Sequence, residues 1–273
     1  MMLKGQNIFN ASFDVFADNY HGVRPGYPAL LFADLKNACD IGRESRVLEI
    51  GAGSGIATVE LAKFGCEVVA IEPGGKLAEI AKKEIARFPN AKIVEGMFES
   101  YESSDNFDAI VAFTAFHWID GKDKYTKVDK LLNPDGSLVL VWNSFFKSGS
   151  QVTAEVDRIY KDMLPELYGE EKDMNRAVWT KLGRREQEIS QSGLFSVVFL
   201  KKYLSVYKYD SRTYPKLLGT FPKIIKLDAG LRKAFLDRIS ETVKPHGSIT
   251  VPVMSTLIVC RRVDSFLKII VEK

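Results

Sequence analysis

The chain has 273 residues, of which 46% are apolar and 27% charged, a balance typical of a globular protein with a full hydrophobic core. A formal net charge of +3 is too small to indicate a nucleic-acid partner, and four basic doublets are expected to be solvated: Lys82-Lys83, Arg184-Arg185, Lys201-Lys202 and Arg261-Arg262. Three cysteines without a CxxC spacing predict no disulfide framework and no metal site, and they favour a cytoplasmic protein. No stretch is long and apolar enough to predict a signal peptide or a membrane partner.

From Arg46 to Asn143, short β-branched runs alternate with helical patterns, which predicts a parallel sheet flanked by helices. In chain order the predicted elements are strand 47–50, helix 56–64, strand 67–71, helix 75–88, and strands 93–95, 107–113 and 137–142. After Asn143 the sequence predicts two amphipathic helices, 152–167 and 175–192. Two more strands, 195–209 and 248–261, are then expected around helical segments at 214–221 and 229–243.

The most informative stretch is the strand 47–50, which runs into Gly51, Gly53 and Gly55 and then into a helix. Glycines at such a turn accept positive φ and let backbone amides approach a ligand closely. A nucleotide-like ligand is therefore expected at the carboxyl end of this strand. The dinucleotide fingerprint GxGxxG would need a glycine at Ile56 or Thr58, and no Walker A lysine follows, so neither of these phosphate-binding patterns fits.

Two carboxylates flank this glycine loop. Glu49 precedes it, and an anion at that position suits a cationic ligand better than a pyrophosphate. Glu72 closes the second strand, 17 residues after Gly55 and directly before Pro73, where a carboxylate can accept both hydroxyls of a ribose. The alternative interpretation is that both are ordinary strand-end carboxylates beside a tight turn.

With VLEIGAGSG as first motif and Glu72 as ribose-binding acid, the sequence resembles the class I S-adenosylmethionine-dependent methyltransferases, well over residues 20–143 and loosely elsewhere. The resemblance implies a Rossmann-like α/β fold with a seven-stranded, mostly parallel sheet, an antiparallel last strand, helices on both faces and a helical cap. Residues 1–143 would hold N-terminal helices and the cofactor-binding core, and residues 144–192 a cap insertion. Residues 193–273 would supply the final strands, with an insertion at 210–247 contributing to the cap.

The same resemblance assigns S-adenosylmethionine as cofactor and gives roles to several residues. Arg24-Pro25-Gly26-Tyr27-Pro28 resembles the motif that closes over the carboxylate of the cofactor, with Tyr20 and Arg24 as partners; a simple Pro-Gly turn is the alternative. Gly96-Met97-Phe98-Glu99 stands where many relatives have Gly-Asp-Ala-Glu, so the adenine contact would fall to Glu99 or to the backbone of Met97 and Phe98. The Phe98 ring would pack on the adenine ring, and the alternative is that Phe98 is simply a core residue. The predicted cofactor-binding set is Tyr20, Arg24, Glu49, Gly51, Gly53, Gly55, Glu72, Pro73, Met97, Phe98, Glu99 and Phe113.

Residues 115–120, AFHWID, resemble the motif that faces the transferring methyl group. His117 and Trp118 are therefore the predicted catalytic residues, with His117 either orienting the acceptor or acting as general base; a structural histidine is the alternative. The motifs of DNA, arginine and catechol methyltransferases are absent, which leaves a small organic molecule as the expected methyl acceptor. Relatives with the same His-Trp motif include trans-aconitate and, more distantly, quinone-type methyltransferases, which favours O-methylation of a carboxylate.

Two other kinds of function compete with this hypothesis. A nicotinamide-dependent oxidoreductase would need the GxGxxG pattern that fails here. A non-catalytic nucleoside-binding module would keep the fold and the cofactor site without the chemistry. A monomer or a homodimer is expected in each case.

Overall fold

The computed structural model describes residues 21–119, 121, 123–171 and 174–263. Within these residues the chain forms one seven-stranded sheet with the order β3-β2-β1-β4-β5-β7-β6. The strands are β1 (Arg46–Ile50), β2 (Glu67–Glu72), β3 (Ala91–Glu95), β4 (Phe107–Phe113), β5 (Leu132–Phe145), β6 (Phe195–Tyr209) and β7 (Ile249–Arg262). The prediction of a mostly parallel sheet whose last part is antiparallel is confirmed.

The helices of the described residues follow the predicted alternation with the strands. They are α1 (Ala29–Ala38), α2 (Ile56–Ala62), α3 (Gly75–Glu84), α4 (Lys124–Leu131), α5 (Gln151–Met163), α6 (Pro165–Glu171), α7 (Met174–Gln191), α8 (Thr213–Leu218), α9 (Pro222–Ile225) and α10 (Ala229–Val243). Two of them begin with side-chain caps that satisfy free backbone amides: Ser150 accepts from Thr153 N, and Asp228 accepts from Gly230 N and Leu231 N.

Proline divides one helical segment, 152–167, that the sequence predicts as a single helix. Leu164, between α5 and α6, has φ −135° and ψ 57°, outside the helical region, because the ring of Pro165 disfavours a helical residue before it. The predicted segment 214–221 corresponds to α8, which ends earlier, at Leu218. Pro222 then follows the extended Phe221 and becomes the first residue of α9.

The central strands are parallel and buried, which explains their nearly continuous apolar sequences. β1 pairs with β2 from Arg46↔Glu67 to Ile50↔Ile71 and with β4 at Glu49↔Val111, while β4 pairs with β5 up to Phe113↔Val141. Because these registers align the strands, the carboxyl ends of β1, β2 and β4 meet at one edge of the sheet. Ligands of open α/β sheets bind at that edge.

Two apolar clusters cover the two faces of this part of the sheet. Leu31, Leu35 and Leu61 bring α1 and α2 onto the face that carries Val47 and Val111. On the opposite face, α4 and α7 pack against the sheet through Tyr125, Val128, Leu131, Leu182 and Ile189, next to Leu48, Ile110 and Trp142. Trp142, near the carboxyl end of β5 on this face, therefore lies in the same apolar cluster as residues of α7.

The chain divides into two compact units. Of the described residues, one unit contains those within 26–143, 182–203 and 255–263, and it includes the sheet core described above. The other contains the described residues within 21–25, 144–181 and 204–254, and its own core includes Val156, Ile159, Phe235, Ile239 and Val253. The assignment of residues 144–192 and 210–247 to a cap over the cofactor stays a prediction.

Three further properties concern the possible environment and cofactors of the chain. Cys39, Cys66 and Cys260 are buried and free. Among the described residues, no cluster of three or more His, Cys, Asp or Glu side chains is arranged to hold a metal ion. No helix in the described part of the chain is long and apolar enough to cross a membrane.

Candidate active site

The glycine loop connects β1 to α2 in a backbone conformation that other residues adopt only with strain. Gly51, Gly53 and Gly55 have φ of +73°, +56° and +86°. A Cβ on Gly51 would lie 2.4 Å from the Cβ of Ala115, so the loop after β4 touches the glycine backbone directly. Gly51 N and Ala52 N both donate to the carbonyl of Ile71, at 2.8 and 3.0 Å. The glycine loop is thus fixed against the ends of both β2 and β4.

Glu72 holds the glycine loop through its side chain. Its Oε2 accepts from Gly53 N at 2.7 Å and its Oε1 accepts from Gly74 N at 2.8 Å, and the residue is only 6% exposed. Hydrogen bonds from amides to a carboxylate are among the stronger ones in proteins. A carboxylate oxygen has two lone pairs and can accept more than one hydrogen bond. Glu72 therefore joins the two loops that follow β1 and β2.

Glu49 is a carboxylate in the interior of the sheet. It is fully buried, and its Oε2 accepts a hydrogen bond of 2.6 Å from Thr58 Oγ1 on α2. Its Oε1 is also buried and has no hydrogen-bond partner within the described residues. Burial raises the pKa of the Glu49 carboxyl to about 7; the Thr58 hydrogen bond acts to lower it and the charge of Glu72 acts to raise it further. A carboxylate with an unsatisfied buried oxygen suits a cationic or hydrogen-bond-donating ligand.

A strained residue directs the loop after β4 toward the glycine loop. Thr114 has φ +56°, which is rare for a β-branched residue and is often found at functional sites. Its amide donates to Val141 O at 2.7 Å, and its Oγ1 accepts from Asn143 N at 3.2 Å and bonds Tyr27 Oη at 3.1 Å. These contacts hold the conformation. Phe116 is then buried, whereas His117 and Trp118 in the next positions are exposed.

His117 is oriented by Trp142, which lies at the end of β5. Trp142 Nε1 donates to His117 Nδ1 at 3.3 Å, and the rings of His117 and Trp118 lie 4.6 Å apart. An indole nitrogen is only a donor, so Nδ1 must be the unprotonated nitrogen of a neutral imidazole. His117 then carries its proton on Nε2. Trp142 is not predicted as a site residue, because its place in a buried strand gives no signal of a contact with the motif after β4.

Tyr20 and Arg24 are the residues assigned to the carboxylate end of the cofactor, and Phe113 is a further member of the predicted cofactor-binding set. Tyr20 lies outside the described residues. Arg24 belongs to the second unit, where its Nη2 donates to Thr220 O at 2.8 Å and its guanidinium lies 4.8 Å from the ring centre of Phe221. Phe113 closes β4, is nearly buried, and contacts the Tyr27 ring at 4.8 Å. The roles of Tyr20, Arg24 and Phe113 toward the cofactor stay predictions.

The residues assigned to the adenine end, Met97, Phe98 and Glu99, follow β3, and Pro73 of the predicted cofactor-binding set follows β2. Phe98 is 3% exposed and belongs to the apolar cluster with Val69 and Ile71, which matches the alternative that it is a core residue. Glu99 is exposed, and its carbonyl accepts from Lys127 Nζ at 2.8 Å. Pro73 and Met97 are partly exposed next to the ends of β2 and β3. Their contacts with a ligand stay predictions.

Comparison with known sequences agrees with this geometry. Residues 47–136 match the methyltransferase domain family. An uncharacterized methyltransferase from Alkaliphilus oremlandii is 32% identical over 134 residues, which are 47% of this chain and 60% of that protein. One from Mycobacterium bovis is 33% identical over 134 residues, 49% of this chain and 52% of that protein. The chain thus spans between half and two thirds of the length of these curated relatives.

Solved structures share the fold at low sequence identity. A putative type II methyltransferase from Anaeromyxobacter dehalogenans superposes with a TM-score of 0.60 at 20% identity, covering 87% of this chain and 97% of that one. An S-adenosylmethionine-dependent methyltransferase from Thiobacillus denitrificans, solved with S-adenosylhomocysteine, has a TM-score of 0.54 at 15% identity and covers 96% and 100% of the two chains. Residues 47–136 thus match the methyltransferase domain family, and the described residues have the fold of these solved methyltransferases.

Proposed function

We propose that the protein is an S-adenosylmethionine-dependent methyltransferase that methylates a small organic acceptor, with a carboxylate oxygen as the favoured target. The observation that carries the proposal is the pair of buried carboxylates around the glycine loop. Glu72 accepts from Gly53 N and Gly74 N at the end of β2, and Glu49 has a buried oxygen without a partner within the described residues. Such acceptors fit a nucleoside that carries ribose hydroxyls and positive charge, and they disfavour a pyrophosphate.

These residues have separate roles toward the cofactor. Glu72 would accept the ribose hydroxyls while its amide bonds keep the glycine loop in place. The amides and the open Cα positions of Gly51, Gly53 and Gly55 would lie against the methionine part. Ionised Glu49 would balance the positive charge of the ligand through the loop, since an unpaired charge in this buried region is costly.

When bound, S-adenosylmethionine supplies a methyl group on a sulfonium sulfur: an acceptor oxygen lone pair forms the new C–O bond while the C–S bond breaks and its electron pair returns to sulfur. The protein therefore mainly aligns the acceptor and excludes water. A carboxylate is already deprotonated at neutral pH and needs no base. The geometry of His117 agrees with a reaction that needs no general base, because its Nδ1 accepts a hydrogen bond from Trp142 and its Nε2 carries the proton. His117 would orient the acceptor by donating a hydrogen bond.

A ligand comparison by thermal unfolding tests the cofactor. At about 100 times its dissociation constant a ligand adds about 2.7 kcal/mol to stability, which corresponds to about 5 °C in a chain of this length. We expect such a shift with S-adenosylmethionine and S-adenosylhomocysteine and none with NAD. A shift with NAD alone would refute the proposal and favour the oxidoreductase.

Variants of Glu72 connect the shift to the site. Glu72→Gln keeps one acceptor oxygen and should lose most of the shift, and Glu72→Ala should lose it entirely. Glu95→Ala is the matched control, because Glu95 is the exposed register partner of Glu72 at the end of β3. Formation of S-adenosylhomocysteine with a panel of small acids then tests turnover. Cofactor binding without methyl transfer to any acceptor would favour the non-catalytic nucleoside-binding module.

A further inference from the structure

Arg185 on α7 has an environment unlike that of its neighbour Arg184. Arg184 is exposed, as the sequence analysis expects of both members of the doublet. Arg185 is instead half-buried, and its guanidinium carbon lies 4.1 Å from the centre of the Trp142 ring. A cation stacked this closely on an indole is held in one orientation. The helix therefore directs Arg185 back onto the end of β5.

The hydrogen-bonding groups of Arg185 are unused within the described part of the chain. No hydrogen bond and no ion pair is formed there by its guanidinium, which has five N–H donors. The charge of Glu188, one helical turn further, acts on Arg185, but Glu188 pairs with Lys124 at 2.7 Å. Burial lowers the pKa of Arg185 to about 10, so the side chain remains a cation at neutral pH. A half-buried cation with free donors is a natural partner for an anion.

Trp142 connects this cation to the candidate catalytic histidine. The indole face is covered by Arg185, and the indole Nε1 donates to His117 Nδ1. The guanidinium of Arg185 and the Nε2–H of His117 are consequently two donors held by the same aromatic side chain. Both donors favour a methyl acceptor that carries negative charge, and neither is suited to removing a proton.

We propose that Arg185 binds a carboxylate of the methyl acceptor and so makes the enzyme selective for carboxylic acids. This inference rests on the proposed function, because it assigns the acceptor of the same site. The planar fork of arginine matches the two oxygens of a carboxylate. Stacking on Trp142 preorganises that fork, and the orientation of His117 by the same ring directs a second donor to the bound acid.

Binding of matched probes to the protein saturated with S-adenosylhomocysteine tests this role without requiring the natural acceptor. Calorimetry is carried out with small acids and their neutral amides, such as benzoate with benzamide and adipate with adipamide, and with phenyl phosphate. In the wild-type protein at least one acid should bind at least tenfold more tightly than its amide. Arg185→Gln should weaken the binding of that acid by a factor of about 10 to 100 and leave the affinity for the amide unchanged.

Two other variants complete the test. Arg184→Gln is the matched control and should change no affinity more than twofold. Arg185→Lys keeps the charge without the fork, and an intermediate loss is expected, which preserves the test if Arg185→Gln does not fold. Unchanged affinity for S-adenosylhomocysteine in each variant shows that the cofactor site is intact.

Several results would overturn the inference. Equal binding of acids and amides by the wild-type protein, or acid binding that is unaffected by Arg185→Gln, would remove Arg185 from acceptor recognition while the proposed function stands. Tighter binding of phenyl phosphate than of benzoate would contradict the assignment of a carboxylate. Failure of the wild-type protein to bind S-adenosylhomocysteine would overturn both the proposed function and this inference.

Discussion

Glu49→Gln should remove a pH dependence of stability that originates at one buried carboxyl. Burial raises the pKa of Glu49 from its ordinary value of 4.5 to about 7. The folded protein therefore keeps a proton that the unfolded chain releases over this range. Stability from the protonated form is fully present below pH 4.5 and is lost as the pH rises through about 7.

The size of the effect follows from the gap between the two pKa values. Each pH unit of that gap corresponds to about 1.4 kcal/mol, so full ionisation costs the ligand-free protein about 3 kcal/mol. The figure needs no reduction for solvent screening, because Glu49 is 0% exposed. Between pH 5 and pH 8 the loss corresponds to a decrease of about 5 °C in the unfolding midpoint of a chain of this length.

Unfolding midpoints of the wild-type protein and Glu49→Gln are compared from pH 5 to pH 8.5 without ligand. Glutamine still accepts the Thr58 hydrogen bond but does not titrate, so the unfolding midpoint of the variant should increase relative to that of the wild-type protein as the pH rises. Glu79→Gln, at an exposed position on α3, should follow the wild-type curve. A difference between wild type and Glu49→Gln that stays constant with pH would refute the assignment of the titration to Glu49.

Three further predictions concern the ligand and the loops. If ionised Glu49 balances the charge of S-adenosylmethionine, affinity measured by calorimetry should rise about tenfold from pH 6 to pH 8 in the wild-type protein and stay flat in Glu49→Gln; a parallel rise in both would contradict this role. Gly51→Ala should lower the free energy of unfolding by about 2 to 4 kcal/mol, because the position has a positive φ and the new Cβ would collide with Ala115. Adding Ala115→Gly to this variant should recover only the part of that loss that comes from the collision. His117→Ala should lower turnover by about 100-fold and Trp142→Phe by about tenfold in steady-state kinetics, both with unchanged cofactor affinity; altered affinity would instead indicate damage to the cofactor site.

The parts of the structure that the sequence predicts well are those specified by local patterns. β1, the glycine loop and α2 follow from a buried β-branched run, alternate glycines and an amphipathic segment that occur within 16 residues, 47–62. The end of α5 is predicted less accurately because Pro165 acts on Leu164, and α8 ends at Leu218 rather than at the predicted residue 221. Even there the type of element is correct and only the boundary differs.

The contacts that distinguish this site depend on residues far apart in the chain. Thr114 adopts its positive φ because Val141, Asn143 and Tyr27 hold it, and none of these contacts has a signature in the local sequence. The contact of Glu72 with the glycine loop likewise depends on residues that are far apart in the chain. Its position after β2 predicts a ribose-binding acid, but its bond to Gly53 N depends on the register between β1 and β2.

Arg185 shows most clearly why sequence alone is insufficient for acceptor recognition. In the sequence it stands in a basic doublet, a pattern that usually belongs to a solvated helix surface, and its neighbour Arg184 is indeed exposed. Leu182 and Ile189 pack α7 on the sheet, and that packing brings only one of the two arginines onto Trp142. The residues proposed to bind the ribose and methionine parts of the cofactor lie in β1, β2 and the turns after them. The residues that would select the acceptor come from β4, β5 and α7, so changes in α7 can alter the acceptor without altering the cofactor site.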